Sequence, residues 1–167
     1  LGEIDGARAQ IEDRLAALRA AARAREARYL GQIALSDLVP ALRQDHPDLV
    51  LKPIGGEGML PMSADGLRVV LGQLLRNAAE SGAGEVSLRL ERDRDCMALT
   101  VADDGHGISP GNAARIFEPF FTTRRDSGGT GMGLSIVRNI LAAHRAEIAL
   151  LPAPSGAAFR LTFQAPA

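Results

Sequence analysis

The sequence is poor in cysteine, in large aromatic residues and in long apolar runs. Its 167 residues include one cysteine, Cys96, one tyrosine and no tryptophan. A single cysteine excludes an internal disulfide framework and a cysteine-built zinc site, and it is typical of a reducing compartment. No apolar run approaches the roughly 18–20 residues that a membrane-spanning helix needs, and no segment has the pattern of a secretion signal. We therefore expect a cytoplasmic location.

The chain also lacks an excess of charge of one sign. Nineteen Lys and Arg residues face 20 Asp and Glu residues, for a net charge of −1. This balance argues against a nucleic acid as the partner, because such a surface carries a basic excess. The hydrophobic content of 46% is enough for one compact domain with a small appendage. The first residue is Leu1 rather than Met, so we expect a fragment of a longer protein, one that is anchored in the inner membrane only if a segment outside this sequence spans it.

Residues 1–31 have the composition of a helix, with nine Ala, six Arg and five acidic residues among the first 30. A narrow apolar seam runs along it at spacings of seven, four and three residues: Ile4, Ile11, Leu15, Leu18, Ala22 and Tyr29. Such a seam is typical of a coiled coil or an antiparallel helix bundle and predicts a partner helix. The alternative is that the helix packs on its own domain.

The rest of the chain alternates between strand and helix patterns. We predict a helix over about 37–44 capped by Ser36 with Pro40 near its start, a strand over 49–54, a helix from Ala64, and a helix over about 134–144. Alternating apolar residues predict a hairpin joined by the polar link 91–95, and a last strand pair over 148–151 and 159–163. This order predicts an α+β fold, a mixed, mostly antiparallel sheet with helices covering one face.

The helix that begins at Ala64 carries a polar stripe beside its apolar face. The stripe consists of Gln73, Asn77 and Glu80, and the apolar face holds Leu67, Val70, Leu71, Leu74, Leu75 and Ala78. Because the stripe flanks the core rather than opposing it, we expect its side chains to line a pocket at the edge of the core.

The sequence has two glycine-rich stretches, the first directly after a predicted strand and the second directly before a predicted helix. In the first, Asp103, Gly105 and Gly107 form an Asp-x-Gly-x-Gly motif directly after a strand. Such a carboxylate needs a donor, of which the exocyclic amine of a purine is one, and glycines let a flat ligand approach. The alternative is a simple turn that ends the strand.

The second stretch, residues 128–133, runs straight into a helix. Free amides and the helix dipole there suit a phosphate, although the Walker lysine is missing. A flexible linker with a helix cap is the alternative. Between the two stretches lie three of the five phenylalanines, Phe117, Phe120 and Phe121, followed by Arg124 and Arg125. We interpret the phenylalanines as a hydrophobic latch that anchors a mobile segment, and the arginines as contacts to phosphate oxygens. The alternatives are that the phenylalanines belong to the local core and that the arginines are a solvated basic pair.

The four elements in this order resemble the catalytic and ATP-binding domain of bacterial sensor histidine kinases, over about residues 33–163. The superfamily also includes DNA gyrase, a heat-shock chaperone and a mismatch-repair ATPase. The segment 117–123 resembles the F box of the kinases, and the short lid around residues 122–130 resembles the nitrogen-regulation type. The resemblance implies a Bergerat-type two-layer α/β sandwich over 32–167, with residues 1–31 as the second helix of a dimerisation domain.

The resemblance also implies the ligands, ATP and Mg²⁺, and the residues that bind them. Asn77 is the implied magnesium ligand, Asp103 the acceptor for the adenine amine, and Gly105 and Gly107 the residues that make room for the base. The full set of expected nucleotide-binding residues is Gln73, Asn77, Glu80, Asp103, Gly105, Gly107, Ile108, Phe120, Thr123, Arg124, Arg125, Gly129, Thr130, Gly131, Met132, Gly133 and Leu134.

Several residues depart from the family pattern. Gln73 stands where the kinases usually have Asn and the hydrolytic relatives Glu, and an amide cannot act as a general base, so phosphoryl transfer is favoured over hydrolysis. Glu80 replaces a phosphate-binding Lys found in some relatives. Asp104 replaces an Asn and His106 a Pro, and the pair Arg145-Ala146 replaces Gly-Gly.

We therefore expect an ATP-dependent protein-histidine kinase domain. The phosphoaccepting histidine is absent, because His46, His106 and His144 do not match its context, so no catalytic residue is assigned and the fragment is expected not to phosphorylate itself. The implied partners are a histidine-bearing dimerisation helix of the same kinase, as a homodimer, and the receiver domain of a response regulator. An anti-sigma-type serine kinase and a non-catalytic nucleotide-binding adaptor are the alternatives.

Overall fold

The computed structural model describes residues 2–26, 31–122 and 133–164. Five helices and seven strands follow one another in these ranges. In chain order they are α1 (Gly2–Glu26), β1 (Ile33–Ala34), α2 (Leu35–Asp45), β2 (Val50–Gly55), β3 (Met59–Leu60), α3 (Ala64–Glu80), β4 (Glu85–Asp93), β5 (Cys96–Asp103), α4 (Pro110–Ala113), α5 (Gly133–Ala143), β6 (Ala146–Leu151) and β7 (Ala158–Gln164).

The main sheet has five strands in the order β2-β4-β5-β7-β6. Strand β2 runs parallel to β4, and the other pairs are antiparallel. Alternate side chains of the central strands are buried, for example Leu88, Leu99 and Leu161 at 0% exposure, while their neighbours Ser87, Thr100 and Thr162 are half-buried. The buried face packs against the helices, so the α+β prediction of a mixed sheet covered on one side is confirmed.

Helix α3 forms as its sequence pattern predicts. The Ser63 hydroxyl accepts a hydrogen bond from the Gly66 amide at 3.1 Å and caps the first turn. Gly82 ends the helix with a positive φ of 79°, and the Gly82 amide donates to the Ala79 carbonyl at 3.0 Å. The whole predicted apolar face is buried: Leu67, Val70, Leu71, Leu74, Leu75 and Ala78. The polar stripe therefore lies at the margin of the core.

The start of α2 differs from the prediction. The helix begins at Leu35, and the residue at the cap position is Ala34, whose side chain makes no capping hydrogen bond. Ser36 is not the cap, because Ala34 pairs with Met59 in a two-stranded sheet of β1 and β3 that delivers the chain directly into the helix. Pro40 consequently lies inside the helix rather than in its first turn.

The hairpin of β4 and β5 is also tighter than predicted. Both strands extend through polar residues, β4 to Asp93 and β5 from Cys96, so only Arg94 and Asp95 remain in the turn. Arg94 adopts a positive φ of 54°, which suits the sharp reversal of a two-residue connection.

Helix α1 packs on α3 and α5, yet it does so away from its apolar seam. Ala17 is buried at 3% exposure, and Arg76 Nη1 of α3 donates to Asp13 Oδ2 at 2.6 Å. The seam residues Ile4, Ile11, Leu15 and Leu18 are 45–70% exposed. The helix thus contacts its own domain while the seam stays accessible, and the partner helix stays a prediction. The side chains of Ala22 and Tyr29 lie outside the described residues.

Among the described helices, none combines the length and the apolar character of a membrane-spanning segment.

The histidine at the end of α2, His46, lies in a charged junction beside α3. Burial lowers the pKa of His46 below its ordinary 6.5, and the Arg76 charge adds to this effect, whereas Asp45 opposes it. Arg68 binds both oxygens of Asp45 at 2.7 Å and lowers the pKa of that carboxyl.

Candidate nucleotide-binding site

The polar stripe of α3 meets the first turn of α5. Gln73 and Asn77 are half-buried and Glu80 is exposed. A Cβ atom placed on Gly133 would lie 2.9 Å from Gln73 Oε1, so the glycine lets the amide of α3 approach the backbone at the N-terminal end of α5. Leu134, the next residue of α5, is half-buried and packs against the core. The structure thus brings together residues that the sequence separates by about 60 positions.

Asp103 lies at the end of β5 with its carboxylate held by backbone groups. Asp103 Oδ1 accepts hydrogen bonds from the amides of Gly105 at 2.9 Å and Ala157 at 3.3 Å. The Asp103 amide donates to the Ala157 carbonyl at 2.9 Å. The side chain is half-buried. These contacts fix one oxygen of the carboxylate and orient the other.

The glycines after Asp103 are required by the backbone of the protein itself. A Cβ on Gly105 would lie 2.8 Å from the Ser81 carbonyl oxygen. Gly107 has a φ of +79°, and its Cβ would lie 2.9 Å from the Gly156 carbonyl oxygen. Both glycines therefore allow close approach between chain segments, in addition to the room for a base that the family resemblance implies.

Gly156 is a member of this loop cluster that the sequence analysis missed. Its φ is +68°, and a Cβ atom there would collide with the Asp103 carbonyl oxygen. The only sequence signal is a Pro-Ser-Gly turn before β7, which gives no hint of contact with a residue about 50 positions earlier.

Asp104 is a departure from the family pattern in the sequence, and in the structure its side chain joins two segments. Its Oδ1 accepts hydrogen bonds from the amides of Gly84 at 2.8 Å and Glu85 at 3.0 Å. These two bonds, the one from Glu85 first, hold the pKa of Asp104 below its ordinary 3.8, and the charge of Lys52 contributes in the same direction.

The phenylalanine segment packs partly on the sheet. The Phe117 ring lies edge-on to the Phe159 ring of β7, with centroids 6.4 Å apart. The Arg115 guanidinium lies 4.6 Å from the centroid of the Phe121 ring. Both Phe117 and Phe121 pack against the core, whereas Phe120 is 62% exposed with a φ of +67°. Two rings thus anchor the segment and the third projects from it.

The remaining predicted positions divide into two groups. Ile108 is half-buried after the first glycine loop and packs against the core. Thr123, Arg124, Arg125, Gly129, Thr130, Gly131 and Met132 lie outside the described residues. Among residues 2–26, 31–122 and 133–164, no three His, Cys, Asp or Glu side chains are grouped as metal ligands.

Two histidines of the described residues, His106 and His144, have a local partner for one ring nitrogen. His144 is buried at 8% exposure, and its Nδ1 lies 2.8 Å from the Ile140 carbonyl oxygen, so that nitrogen is the donor. His106 is exposed, with Nδ1 at 3.0 Å from the Gly107 carbonyl oxygen.

The polar helix stripe, the strand-end carboxylate and the helix N-terminus are the parts of the candidate nucleotide site, and comparison with known families identifies the class of protein that contains them. Residues 62–167 match the family described as Histidine kinase-, DNA gyrase B-, and HSP90-like ATPase. The chain belongs to this family.

Within the family, the similar proteins are sensor histidine kinases. The sensor histidine kinase CpxA of Escherichia coli K12 is 36% identical over 94 residues, which are 54% of this chain and 21% of CpxA. The sensory histidine kinase/phosphatase NtrB of Rhodobacter capsulatus is 34% identical over 114 residues, 59% of this chain and 32% of NtrB. The chain therefore spans about a fifth to a third of these relatives, and the serine-kinase and adaptor alternatives are not favoured.

Solved structures share the fold. The histidine kinase AdeS of Acinetobacter baumannii aligns with all of this chain and 82% of its own, at a TM-score of 0.69 and 20% identity. A mycobacterial sensor histidine kinase, MprB, aligns over 82% of this chain and 99% of its own, at a TM-score of 0.66 and 24% identity. The observed five-stranded sheet and its helices are thus the fold of the histidine kinase ATP-binding domain.

Proposed function

We propose that this domain binds ATP with Mg²⁺ and donates the γ-phosphoryl group to a histidine on a dimerisation helix. The observation that carries the proposal is the meeting of three elements at one edge of the core. The Gln73 amide of α3 abuts Gly133 at the start of α5, and the Asp103 loop is hydrogen-bonded to the end of α3 through the His106 amide and the Ser81 carbonyl at 3.0 Å.

The Asp103 carboxylate fits the adenine end of the ligand. Its Oδ1 is occupied by two backbone amides, which orients Oδ2 as the second acceptor of the carboxylate. The amino group of a purine is a neutral hydrogen-bond donor, and such an oxygen can accept a hydrogen bond from it. Because the carboxylate is held before the ligand arrives, little conformational entropy is lost on binding.

The other end of the site fits phosphates and a magnesium ion. The N-terminal end of α5, an eleven-residue helix from Gly133, presents amide donors and a positive dipole end to an anion. Asn77 lies one turn of α3 from Gln73, and its amide oxygen is a hard ligand of the kind that Mg²⁺ takes from proteins beside phosphate and water oxygens. When bound, the ion supplies neutralisation of the phosphate charge.

The chemistry of the stripe favours transfer over hydrolysis. Gln73 is half-buried against α5 and carries no group that removes a proton from water. Catalysis would consist of positioning and charge neutralisation. Glu80 adds a negative charge at the exposed end of the stripe, so we assign the neutralising contacts to Arg124 and Arg125, with Gly129, Thr130, Gly131 and Met132 in the lid.

The setting of the domain is also part of the proposal. We assign residues 1–31 to the second helix of a dimerisation domain and 32–167 to the catalytic domain of a longer kinase. The phosphoryl acceptor is a histidine on the first helix of that domain, and a receiver domain of a response regulator accepts the group next. The parent protein is expected to be a homodimer, with this part in the cytoplasm, whether or not the parent has an inner-membrane anchor.

Calorimetry with a non-hydrolysable ATP analogue tests the binding site. The wild-type chain is expected to bind, and Mg²⁺ to raise the affinity. Asn77→Ala should remove the gain from Mg²⁺, because it deletes the ligand oxygen. Asn139→Ala is the matched control, since Asn139 is exposed on α5, and it should respond to Mg²⁺ as wild type does. No binding by the wild-type chain would refute the ATP assignment, and an unchanged Mg²⁺ response of Asn77→Ala would refute the metal assignment.

Phosphotransfer requires a second experiment. The chain is mixed with labelled ATP and a separately produced helix pair that carries a phosphoaccepting histidine. We expect an acid-labile label on the helix pair and none on the chain itself. An acid-stable label on a protein partner would favour a serine kinase, and a stable label on the isolated chain would overturn the assignment of the acceptor to another domain.

A further inference from the structure

We propose that Asp104 is a positioning residue, which sets the place of Asp103 by fastening the glycine loop to the connection between α3 and β4. The inference rests on the proposed nucleotide site and assigns to it a residue that does not itself touch the ligand. It concerns the base-binding end of the site rather than the phosphate end.

The fastening is made by one oxygen. Asp104 Oδ1 accepts from the Gly84 amide at 2.8 Å and from the Glu85 amide at 3.0 Å. In return the Asp104 amide donates to the Glu85 carbonyl at 3.3 Å. Two consecutive amides that share one acceptor oxygen fix both the distance and the direction of the carboxylate.

The connection that receives Asp104 is itself held in place by β2. The Val50 amide donates to the Gly84 carbonyl at 2.9 Å, and Lys52 Nζ lies 2.9 Å from Glu85 Oε2. Asp104 is therefore bonded to a rigid part of the sheet and not to a free turn. Its charged neighbours on the strands packed beside it are Lys52 and Glu85, which neutralise each other.

The link from Asp104 to the ligand runs through Gly105. The Gly105 amide donates to Asp103 Oδ1 at 2.9 Å, and the next amide, that of His106, donates to the Ser81 carbonyl at 3.0 Å. Gly105 thus lies between two fastened residues, and its amide is the nearer of the two donors that hold Asp103 Oδ1, the other being the Ala157 amide at 3.3 Å. Loss of the two side-chain bonds of Asp104 would leave only its backbone bond to Glu85 on that side of Gly105, and the orientation of Asp103 would relax.

We expect the Asp104→Ala variant to lose affinity for the base of the nucleotide but not the gain in affinity that Mg²⁺ provides. Asp104→Ala should weaken the binding of adenosine and of the ATP analogue by about tenfold each, as is common when an outer partner of a binding group is removed. The gain in affinity from Mg²⁺ should stay unchanged, because Asn77 lies on α3 and is not part of the fastening. A general loss of stability would not produce this separation when binding is measured well below the unfolding temperature.

Conservative variants sharpen the test. Asp104→Asn keeps the single acceptor oxygen that both amides use, so it should bind as wild type does. Asp104→Glu keeps the charge but lengthens the side chain by one methylene, so it should bind more weakly than Asp104→Asn. Asp95→Ala, in the turn at the other end of the sheet, is the control for removing an exposed aspartate. If Asp104→Ala does not fold, the Asn and Glu variants still decide the matter.

Nuclear magnetic resonance of the ligand-free chain supplies a readout that does not depend on nucleotide binding. The Gly105 amide signal should shift in Asp104→Ala and return towards the wild-type position in Asp104→Asn. If the wild-type chain bound no nucleotide, the proposed function would fail while the Gly105 signal still reported the fastening. The inference is overturned if Asp104→Ala leaves that signal or adenosine affinity as in Asp95→Ala, or if Asp104→Asn is as weak as Asp104→Ala.

Discussion

Replacing Gly107 with alanine separates backbone strain from steric displacement in the nucleotide loop. Gly107 and Gly82 share the same φ of +79°, but a Cβ on Gly82 meets no atom within 4 Å, whereas one on Gly107 would lie 2.9 Å from the Gly156 carbonyl oxygen. Both substitutions place an L-residue in the left-handed region, at about 1–2 kcal/mol. Only Gly107→Ala adds a collision with backbone.

The size of the collision determines the expected difference. Overpacking of a fixed backbone costs about 1–3 kcal/mol, so Gly107→Ala should be less stable than Gly82→Ala by that amount. For a domain of this size the difference corresponds to a fall in Tm of about 2–12 °C, measured by circular dichroism. Gly82→Ala itself should lose only the common strain.

The collision at Gly107 should also lower nucleotide affinity. Gly156 has no room to yield, because the Asp103 carbonyl oxygen fills the position where its own Cβ would be. A shift of Gly156 therefore moves Asp103, and nucleotide affinity should fall about tenfold for each 1.4 kcal/mol by which the bound state is destabilised. Gly111→Ala, whose Cβ would meet nothing within 4 Å, is the control for affinity. Equal Tm values for Gly107→Ala and Gly82→Ala, or an affinity of Gly107→Ala equal to that of Gly111→Ala, would refute the reasoning.

Three further predictions concern other parts of the domain. Burial holds the pKa of His46 below its unfolded value of 6.5, so the unfolded chain binds more protons than the folded chain below that pH. The stability that depends on neutral His46 should be fully present above pH 6.5 and should fall as the pH is lowered. His46→Gln should flatten the pH dependence of Tm. Removing the half-exposed pair of Asp13 and Arg76 should cost less than about 1 kcal/mol, with the coupling energy of a double-mutant cycle falling at high salt; a salt-independent coupling would contradict this. Phe117→Ala should cost about 2–4 kcal/mol in urea unfolding because its ring packs on the core, and Phe120→Ala, at 62% exposure, clearly less; equal losses would show that the two rings do not differ in anchoring.

The main sheet could be predicted from sequence because its strands alternate. Val86, Leu88 and Leu90 share one face and are all buried, and helix α3 shows its apolar period from Leu67 to Ala78. The small sheet of β1 and β3 could not be predicted, because two residues per strand carry no period. The prediction of Ser36 as the cap of α2 is wrong for the same reason, because β1 leads directly into the helix.

Candidate site residues stand out in the sequence where one segment carries the signal, and not where two segments meet. Gln73, Asn77 and Asp103 stand out in helix and strand patterns. Gly156 and the partners of Asp104 depend on contacts between segments that are distant in the chain, and no local pattern reports them. The roles of Asn77, Asp103 and the lid residues stay predictions until nucleotide binding is measured.

The parallel pairing of β2 with β4 has a consequence for how the domain folds. Helix α3 lies in the connection between these strands, so it is the crossover of a β-α-β unit. The pairing also joins strands that are far apart in the chain, whereas β4 and β5 form a local hairpin, and distant pairings close slowly. Competence to bind a nucleotide should therefore appear late in refolding, after the hairpin has formed.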